Sequence, residues 1–167
     1  MTNRILAAVS AALSSAFVIC ALLCMPAAAD DREKLLGNWK LVTFYTEDVQ
    51  TKQRNNVYGE RPSGYIGFTP AGRFFGFVTA DGRKPPNSVD EQAAAFRSII
   101  AYTGKFRVEG DKFVTKVDVA WNEAWVGTEQ ARFWRLEGDK LHLISAPIPN
   151  PNVPGAMVIG ILVWERE

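Results

Sequence analysis

The segment Glu129–Leu136 carries the polar side chains that are best placed for chemistry in this chain. Successive side chains of a strand point to opposite faces. One face of a strand here would hold Gln130, Arg132, Trp134 and Leu136. If Leu136 points into a core, Arg132 does too, and a buried cation is costly unless it is paired. Its partner could be a ligand carboxylate, carbonyl or hydroxyl. It could instead be an acidic neighbour such as Glu129 or Asp118, or the strand could have the opposite parity.

Elsewhere the sequence offers little for catalysis. His142 is the single histidine and alternates with Leu141 and Leu143 on a predicted strand, which favours an outward surface position over a general base. Histidine and cysteine residues form no cluster that would bind a transition metal, so we predict no metal site. A Gly-x-Ser-x-Gly elbow and a phosphate-binding glycine loop are also missing, and no cofactor is predicted.

Most of the candidate ligand-contacting residues are aromatic. Most aromatic side chains of the chain are expected to form core. The candidates for a ligand-binding wall are Tyr65, Tyr102, Trp121, Trp125 and Trp134. The segment Arg73–Val78 is apolar on both faces. One face would fill a core, and the helix predicted over Val89–Ala101 would have to cover the other.

The first 29 residues have the layout of a secretory signal peptide. A cationic start precedes the apolar run Ile5–Met25, and Ala27-Ala28-Ala29 forms an A-x-A cleavage site before Asp30. We therefore predict a periplasmic or secreted mature domain of residues 30–167, with no stable membrane insertion after cleavage. Because ~20 apolar residues can span a bilayer, an uncleaved anchor is the alternative.

The predicted mature domain has no cysteine, since Cys20 and Cys24 both lie in the signal peptide. An exported domain without a disulfide must gain its stability from packing. Its length suits a single domain. Removal of Arg4 leaves eighteen basic residues, nineteen minus one, against eighteen acidic residues, and no basic run occurs. This balance argues against nucleic acid as a partner.

About eight short strands are predicted in the mature domain. They cover residues 39–46, 63–68, 73–79, 104–108, 112–120, 129–136, 141–145 and 158–166. Thr69-Pro70-Ala71-Gly72 is a turn sequence, and Glu-Gly-Asp-Lys joins two further hairpins at Glu109–Lys112 and Glu137–Lys140. Closing a sheet of this size removes its edges. We predict an all-β, antiparallel, about eight-stranded barrel with one inserted helix, and a two-sheet sandwich is the alternative.

Two helices complete the predicted elements. A short helix over Asp31–Leu36 would end at Gly37. The sequence Ser88-Val89-Asp90-Glu91 is a capping box that would open the inserted helix. One apolar face of that helix would carry Val89, Ala93, Phe96 and Ile100. The helix should lie against the sheet or across an open end of it.

Five separated motifs occur in the order found in a known family. They are Leu36-Gly37-Asn38-Trp39-Lys40-Leu41, Gly59-Glu60-Arg61-Pro62-Ser63-Gly64-Tyr65, Thr69-Pro70-Ala71-Gly72-Arg73, Trp125-Val126-Gly127-Thr128-Glu129-Gln130 and Val163-Trp164-Glu165-Arg166. Through them nearly all of the mature chain resembles the bacterial and fungal lipocalin-like domain family, which implies a calycin-like β-barrel. By that resemblance, Trp39 of the Gly-x-Trp motif would pack beneath Arg166. The chain departs from true lipocalins in its helix position and in lacking their disulfide.

We predict that the exported barrel binds or carries a small apolar molecule, because eight strands enclose enough room for one small ligand. An enzyme of isomerase, cyclase or dehydratase type, acting on a hydrophobic metabolite, is the alternative. Its acid–base set would be Tyr65, Tyr102, Glu129 and Arg132. A factor that acts through its surface is the third hypothesis. An open apolar interior would favour a binder, converging titratable groups an enzyme, and a filled interior the surface factor.

Overall fold

Eight antiparallel strands close into a barrel in the computed structural model, which describes residues 27–150 and 153–167, with side chains from residue 31 onward. The strands in chain order are β1 (Gly37–Asp48), β2 (Arg54–Asn55), β3 (Ser63–Phe68), β4 (Arg73–Thr79), β5 (Ile99–Glu109), β6 (Lys112–Ala120), β7 (Glu129–Glu137), β8 (Lys140–Ile144), β9 (Ile148–Pro149) and β10 (Met157–Arg166). The short strands β2 and β9 pair with β1 and β10 and lie outside the eight-stranded ring. The helices are α1 (Ala27–Leu35), α2 (Val89–Arg97) and a 3-10 helix over Glu123–Trp125.

The barrel closes where β1 pairs with β10. A bulge between Leu41 and Thr43 lets β1 pair with β3 at its start and with β10 along most of its length. Every strand of the ring therefore has a neighbour on both sides, and no long edge is left open to another chain. The predicted all-β barrel is confirmed, and the two-sheet sandwich is wrong.

The three predicted hairpin turns are present. Thr69–Gly72 joins β3 to β4, and the amide of Gly72 donates to the carbonyl of Thr69 at 3.0 Å. Both Glu-Gly-Asp-Lys sequences form tight turns, with Glu109 opposite Lys112 and Glu137 opposite Lys140. These turns lie at one end of the barrel, which we call the base. The long connections between strands lie at the other end, which we call the mouth.

Trp39 and the end of α1 plug the base. Trp39 is 1% exposed, and its indole nitrogen donates to the carbonyl of Leu35 at 2.9 Å. The guanidinium of Arg166 lies 4.1 Å from the centroid of the Trp39 ring. It also donates to the carbonyls of Leu36 and Lys34, at 2.7 and 2.9 Å. The stacking that the resemblance implied is thus present, and Arg166 fastens the last strand to α1.

Gly37 makes room for this arrangement. Its φ is 112°, a backbone conformation that other residues rarely adopt. A Cβ placed on it would lie 3.1 Å from Nη1 of Arg166. The glycine of the Gly-x-Trp motif therefore allows both the turn from α1 into β1 and the close approach of the Arg166 side chain.

The inserted helix is shorter than predicted. Helix α2 ends at Arg97, and Ile99–Ala101 already pair with β4 as the start of β5. The predicted helical face that included Ile100 is therefore wrong, because strand pairing and the β-branched side chains outweigh the helical spacing. The predicted cap is present, since Oγ of Ser88 accepts from the amide of Glu91 at 3.2 Å.

Helix α2 does not cover the outer face of β4, contrary to the prediction. None of its residues is buried, and Phe77 on that outer face is 54% exposed. Once Ile100 belongs to β5, the helix keeps too few apolar side chains to cover a strand. It lies instead at the mouth, where the rings of Phe96 and Trp121 are 6.4 Å apart between centroids. The predicted position across an open end of the barrel is the one observed.

Most of the predicted signal peptide, with Cys20 and Cys24, lies outside the described residues. The cleavage site after Ala29 therefore stays a prediction. Among the residues that the structure describes, no helix has both the length and the apolar character needed to cross a membrane.

Candidate functional site

Arg132 faces the barrel interior. Strand β7 alternates between exposed and half-buried residues along its whole length. The half-buried residues are Gln130, Arg132, Trp134 and Leu136. The Cα partners of Gln130 and Arg132 on β6 are Thr115 and Phe113, and both partners are fully buried. The inward parity expected from the sequence is therefore the one observed.

An internal cavity of about 50 Å³ lies beside Arg132. Its apolar wall is formed by Ile66, Phe74, Val78, Ile100, Leu143 and Leu162. The lining also includes Gly76 and three side chains with polar atoms, namely Tyr102, Arg132 and Trp164. Toward the base the barrel is filled by aromatic rings, since Phe68 lies 5.1 Å from both Phe74 and Phe113 between ring centroids. The cavity beside Arg132 is thus a small chamber with a polar side.

Arg132 lies near two of the predicted aromatic residues, Trp125 and Tyr102. Its guanidinium carbon lies 5.9 Å from the centroid of the Trp125 ring, and Nη1 donates to the carbonyl of Ala131 at 2.7 Å. Burial raises the pKa of the Tyr102 hydroxyl, and the positive charge of Arg132 opposes this only in part. Tyr102 therefore stays a neutral hydroxyl near neutral pH, able to donate a hydrogen bond beside the arginine.

The carboxylates expected as partners of Arg132 are bound elsewhere. Glu129 accepts two hydrogen bonds from Arg107, at 2.9 and 3.1 Å, and this arginine lowers the pKa of Glu129. Asp118 pairs with Arg73 at 2.9 Å, and its pKa is lowered likewise. Both pairs lie on the outer surface. No carboxylate of the described residues lies within 4.0 Å of the Arg132 guanidinium, so the predicted pairing with Glu129 or Asp118 is wrong.

Three aromatic residues form a wall at the mouth next to Arg132. Tyr102 meets Trp125 edge to face, with 5.3 Å between ring centroids, and Trp125 meets Trp121 in the same way at 4.8 Å. The 3-10 helix that carries Trp125 is capped by Asn122, whose side chain accepts from the amide of Ala124 at 3.1 Å. The wall is therefore built on a turn with a defined conformation, directly above the cavity.

A family model described as a lipocalin-like domain matches residues 36–167, which is most of the chain. The chain belongs to the lipocalin-like domain family. A comparison with curated proteins gives no match. Membership and the closed barrel together support small-molecule binding at a coarse level.

Tyr65 lies on the outside of the lipocalin-like barrel. It is 44% exposed and pairs with Phe77, which is also exposed, while its neighbour Ile66 faces the interior. The structure therefore does not bring Tyr65 to the other predicted ligand contacts, because the alternation of β3 turns it outward.

Gln130 and Trp134 face inward on either side of Arg132 without lining the cavity. The side chain of Gln130 donates to Oγ1 of Thr128 at 3.0 Å, so its amide already has a partner near the mouth. The indole nitrogen of Trp134 is buried and has no acceptor among the described residues. Of the predicted contacts, Tyr102 and Arg132 line the cavity, Trp121 and Trp125 form the mouth wall, and Trp134 lies one step deeper along β7.

The acid–base set of the enzyme hypothesis does not assemble in the lipocalin-like barrel. Tyr102 and Arg132 are neighbours, but Tyr65 and Glu129 lie on the outer face. His142, the other candidate base, lies on the outer face of β8, where its Nε2 is 3.2 Å from a carboxylate oxygen of Glu137. Burial lowers the pKa of His142, against the opposing effect of Glu137. Within the described residues no three acidic, histidine or cysteine side chains converge as a metal site.

Trp164 is a cavity residue that sequence reasoning missed. It is 1% exposed and lines the chamber from β10, which β8 separates from β7. The sequence did contain an indication of this position. Arg166 was expected to lie over Trp39 at the base, and the alternation of a strand then turns Trp164 and Leu162 to the same inward face as Arg166. Gly76 also lines the cavity, and its lack of a side chain leaves part of the space open. No sequence pattern identified Gly76 as a cavity residue.

Proposed function

We propose that this lipocalin-like barrel binds a small apolar molecule that carries an acidic or carbonyl end. The observation that carries the proposal is Arg132, an inward-facing cation beside an internal cavity with no carboxylate partner in the described residues. A half-buried guanidinium without a carboxylate partner can accept an anionic or carbonyl group of a ligand as its partner, and a few polar groups of this kind orient ligands in apolar pockets. Tyr102 adds a neutral hydroxyl at the same place.

The ligand's body would lie against the aromatic wall at the mouth. Trp121 and Trp125 present rings that suit an apolar chain or ring, and Tyr102 connects this wall to the cavity. Ligand pockets commonly combine such apolar walls with a few polar groups that fix orientation. The polar end would then meet Arg132.

The size of the cavity determines how such a ligand is accommodated. A chamber of about 50 Å³ has room for a polar end group and not for a hydrocarbon body. The body therefore requires space at the mouth, where α2 lies without a buried residue and with Val89 78% exposed. A segment with so little burial opens at low free-energy cost. Movement of α2 away from Trp121 would extend the cavity outward.

Replacing Arg132 with methionine should weaken acidic ligands selectively. A hydrogen bond to a charged group is worth about 1.5–3 kcal/mol, which corresponds to ~10- to 150-fold in affinity. Titrations that follow tryptophan emission should show this loss for fatty acids and aromatic acids. Neutral ligands of the same shape should bind as before, because the unbranched methionine keeps much of the apolar stem of the arginine.

Arg135→Met is the matched control. Arg135 lies three residues along the same strand, on the outer face, where it pairs with Glu137 at 2.7 Å. The Arg135→Met substitution should leave ligand binding unchanged. The proposal would be abandoned if a panel of fatty acids, terpenoids and aromatic acids changed neither the emission nor the melting temperature of the unmodified protein. Equal losses in both arginine variants would remove the specific role of Arg132.

We also propose that the mature protein is exported and begins at Asp30. The motivation is the cationic start, the apolar run and the alanine cleavage site of the sequence. Intact-mass measurement on protein from fractionated cell envelopes should show the loss of residues 1–29. Recovery of chains that retain Met1 in the membrane fraction would favour the anchor instead.

A further inference from the structure

We infer that Trp164 is a specificity-determining residue whose indole N–H binds the ligand's polar end, and that this end is a carboxylate held head-first in the cavity. The inference rests on the proposed function and adds the chemical class and the orientation of the ligand. Trp164 is 1% exposed and lines the same chamber as Arg132. Its Nε1 is buried and has no acceptor among the described residues.

An unsatisfied indole N–H at this place requires an explanation. Indole nitrogen is a donor only, and leaving a buried donor without an acceptor destabilises the folded state. The other core tryptophan, Trp39, is satisfied by the carbonyl of Leu35 at 2.9 Å. Trp164 is equally buried and lines the cavity, but no acceptor among the described residues reaches its Nε1. A ligand atom that accepts a hydrogen bond would fill this role.

The polar side of the cavity is composed of donors. Arg132 has only N–H groups, Trp164 has one N–H, and Tyr102 is a neutral hydroxyl. Among the described residues, no carboxylate or amide side chain lines the chamber. Such a lining suits a group with several acceptor sites and disfavours an amine.

A carboxylate meets these conditions in both charge and size. Its two oxygens offer about four lone-pair sites and accept paired hydrogen bonds from a guanidinium. A space of about 50 Å³ holds the three heavy atoms of a carboxylate, since a cavity needs roughly 10–15 Å³ of such space for one water. Because the space is too small for a hydrocarbon body as well, that part would extend toward the aromatic wall at the mouth.

Indole NMR tests the contact directly. The chain has five tryptophans, so protein labelled with 15N-tryptophan should give five indole N–H signals, which conventional assignment distinguishes. The probes are decanoate, decanol and decylamine, which share an apolar chain and differ in the head group. Decanoate should move the Trp164 indole proton downfield, as expected for a new hydrogen bond to an anion. Decanol should move it less, and decylamine should leave it in place.

Trp164→Phe should lower the affinity for decanoate roughly tenfold, the equivalent of one hydrogen bond to a charged group. It should leave the affinity for decanol nearly unchanged, so the selectivity between the two probes falls. Ile100→Phe is a second variant that does not depend on replacing a buried tryptophan. Ile100 is a half-buried lining residue, and a phenyl ring there should fill the chamber and prevent decanoate from moving the Trp164 signal.

The failures of the two hypotheses are distinguishable. If decanoate binds in an Arg132-dependent way and the Trp164 indole signal does not move, the proposed function stands and the inference is wrong. Undiminished decanoate binding by Ile100→Phe would also overturn the head-first orientation. If none of the probes or the wider ligand panel binds, the proposed function itself fails.

Discussion

Trp39→Ala should lower the free energy of unfolding by about 3–5 kcal/mol, the usual cost of removing a fully buried aromatic side chain. Trp39 is 1% exposed and fills the base between α1 and the first and last barrel strands. The substitution leaves a void at the point where the barrel closes. It also removes the donor to the carbonyl of Leu35 and the ring on which Arg166 stacks. Urea denaturation followed by circular dichroism measures the loss.

Arg166→Ala provides the comparison, because it removes the stacking and leaves the ring in place. A cation–π contact contributes about 0.5–2 kcal/mol, and the hydrogen bonds of Arg166 to Lys34 and Leu36 add to this. The loss should nevertheless be smaller than for Trp39→Ala, since the buried ring still fills the base. Negligible losses in both variants would show that the Gly-x-Trp motif has no structural role here.

The arrangement at the base of the barrel was predicted through the resemblance to the lipocalin-like domain family, which implied that Trp39 packs beneath Arg166, and the two residues adopt it. Turn sequences such as Glu109–Lys112 could be predicted from the residues alone, because their determinants are local. The end of α2 was not predictable in this way. Residues 99–101 suit a helix by spacing, and only their pairing with the distant β4 assigns them to a strand.

The site was predictable to the extent that it depends on alternation. Period two placed Arg132 inside, and the same period already placed Glu129, three residues earlier, on the opposite face. The alternation of β7 therefore keeps the side chains of Arg132 and Glu129 apart. The partner that Glu129 does take, Arg107, is two strands away, and the register that joins them is not visible in the sequence.

The volume of the interior could not be predicted. It depends on how side chains from all eight strands interlock, and the observed packing leaves about 50 Å³ in the cavity beside Arg132. Wide barrels and filled barrels share the same alternating pattern. Because the chamber is small, the hypothesis changes from a ligand that the barrel encloses completely to a ligand that inserts only its polar end. In this hypothesis Arg132 and Trp164 determine which end groups bind.

Gly104→Ala should destabilise the barrel by about 3 kcal/mol or more, at the upper end of the cost of overpacking. Gly104 faces inward at a bulge in the pairing of β5 with β6. A Cβ built on it would overlap the backbone carbonyl of Lys116 and would lie 3.0 Å from a methyl carbon of Thr115. A side chain can rotate away from a clash, but a backbone carbonyl in the barrel wall cannot, so the two strands would have to separate.

Gly160→Ala tests whether the effect comes from this close approach or from any added methyl group inside the barrel. Gly160 lies within β10, and a Cβ there would make only ordinary contacts, 3.6 Å from Oγ of Ser145 and 3.7 Å from the ring of Phe44. Where an alanine fits without strain, it stabilises by about 0.4–1 kcal/mol because it restricts the unfolded chain. The two substitutions are therefore expected to change the melting temperature in opposite directions. A similar, small change in both would mean that β5 and β6 do not approach each other as closely at Gly104 as the bulge requires.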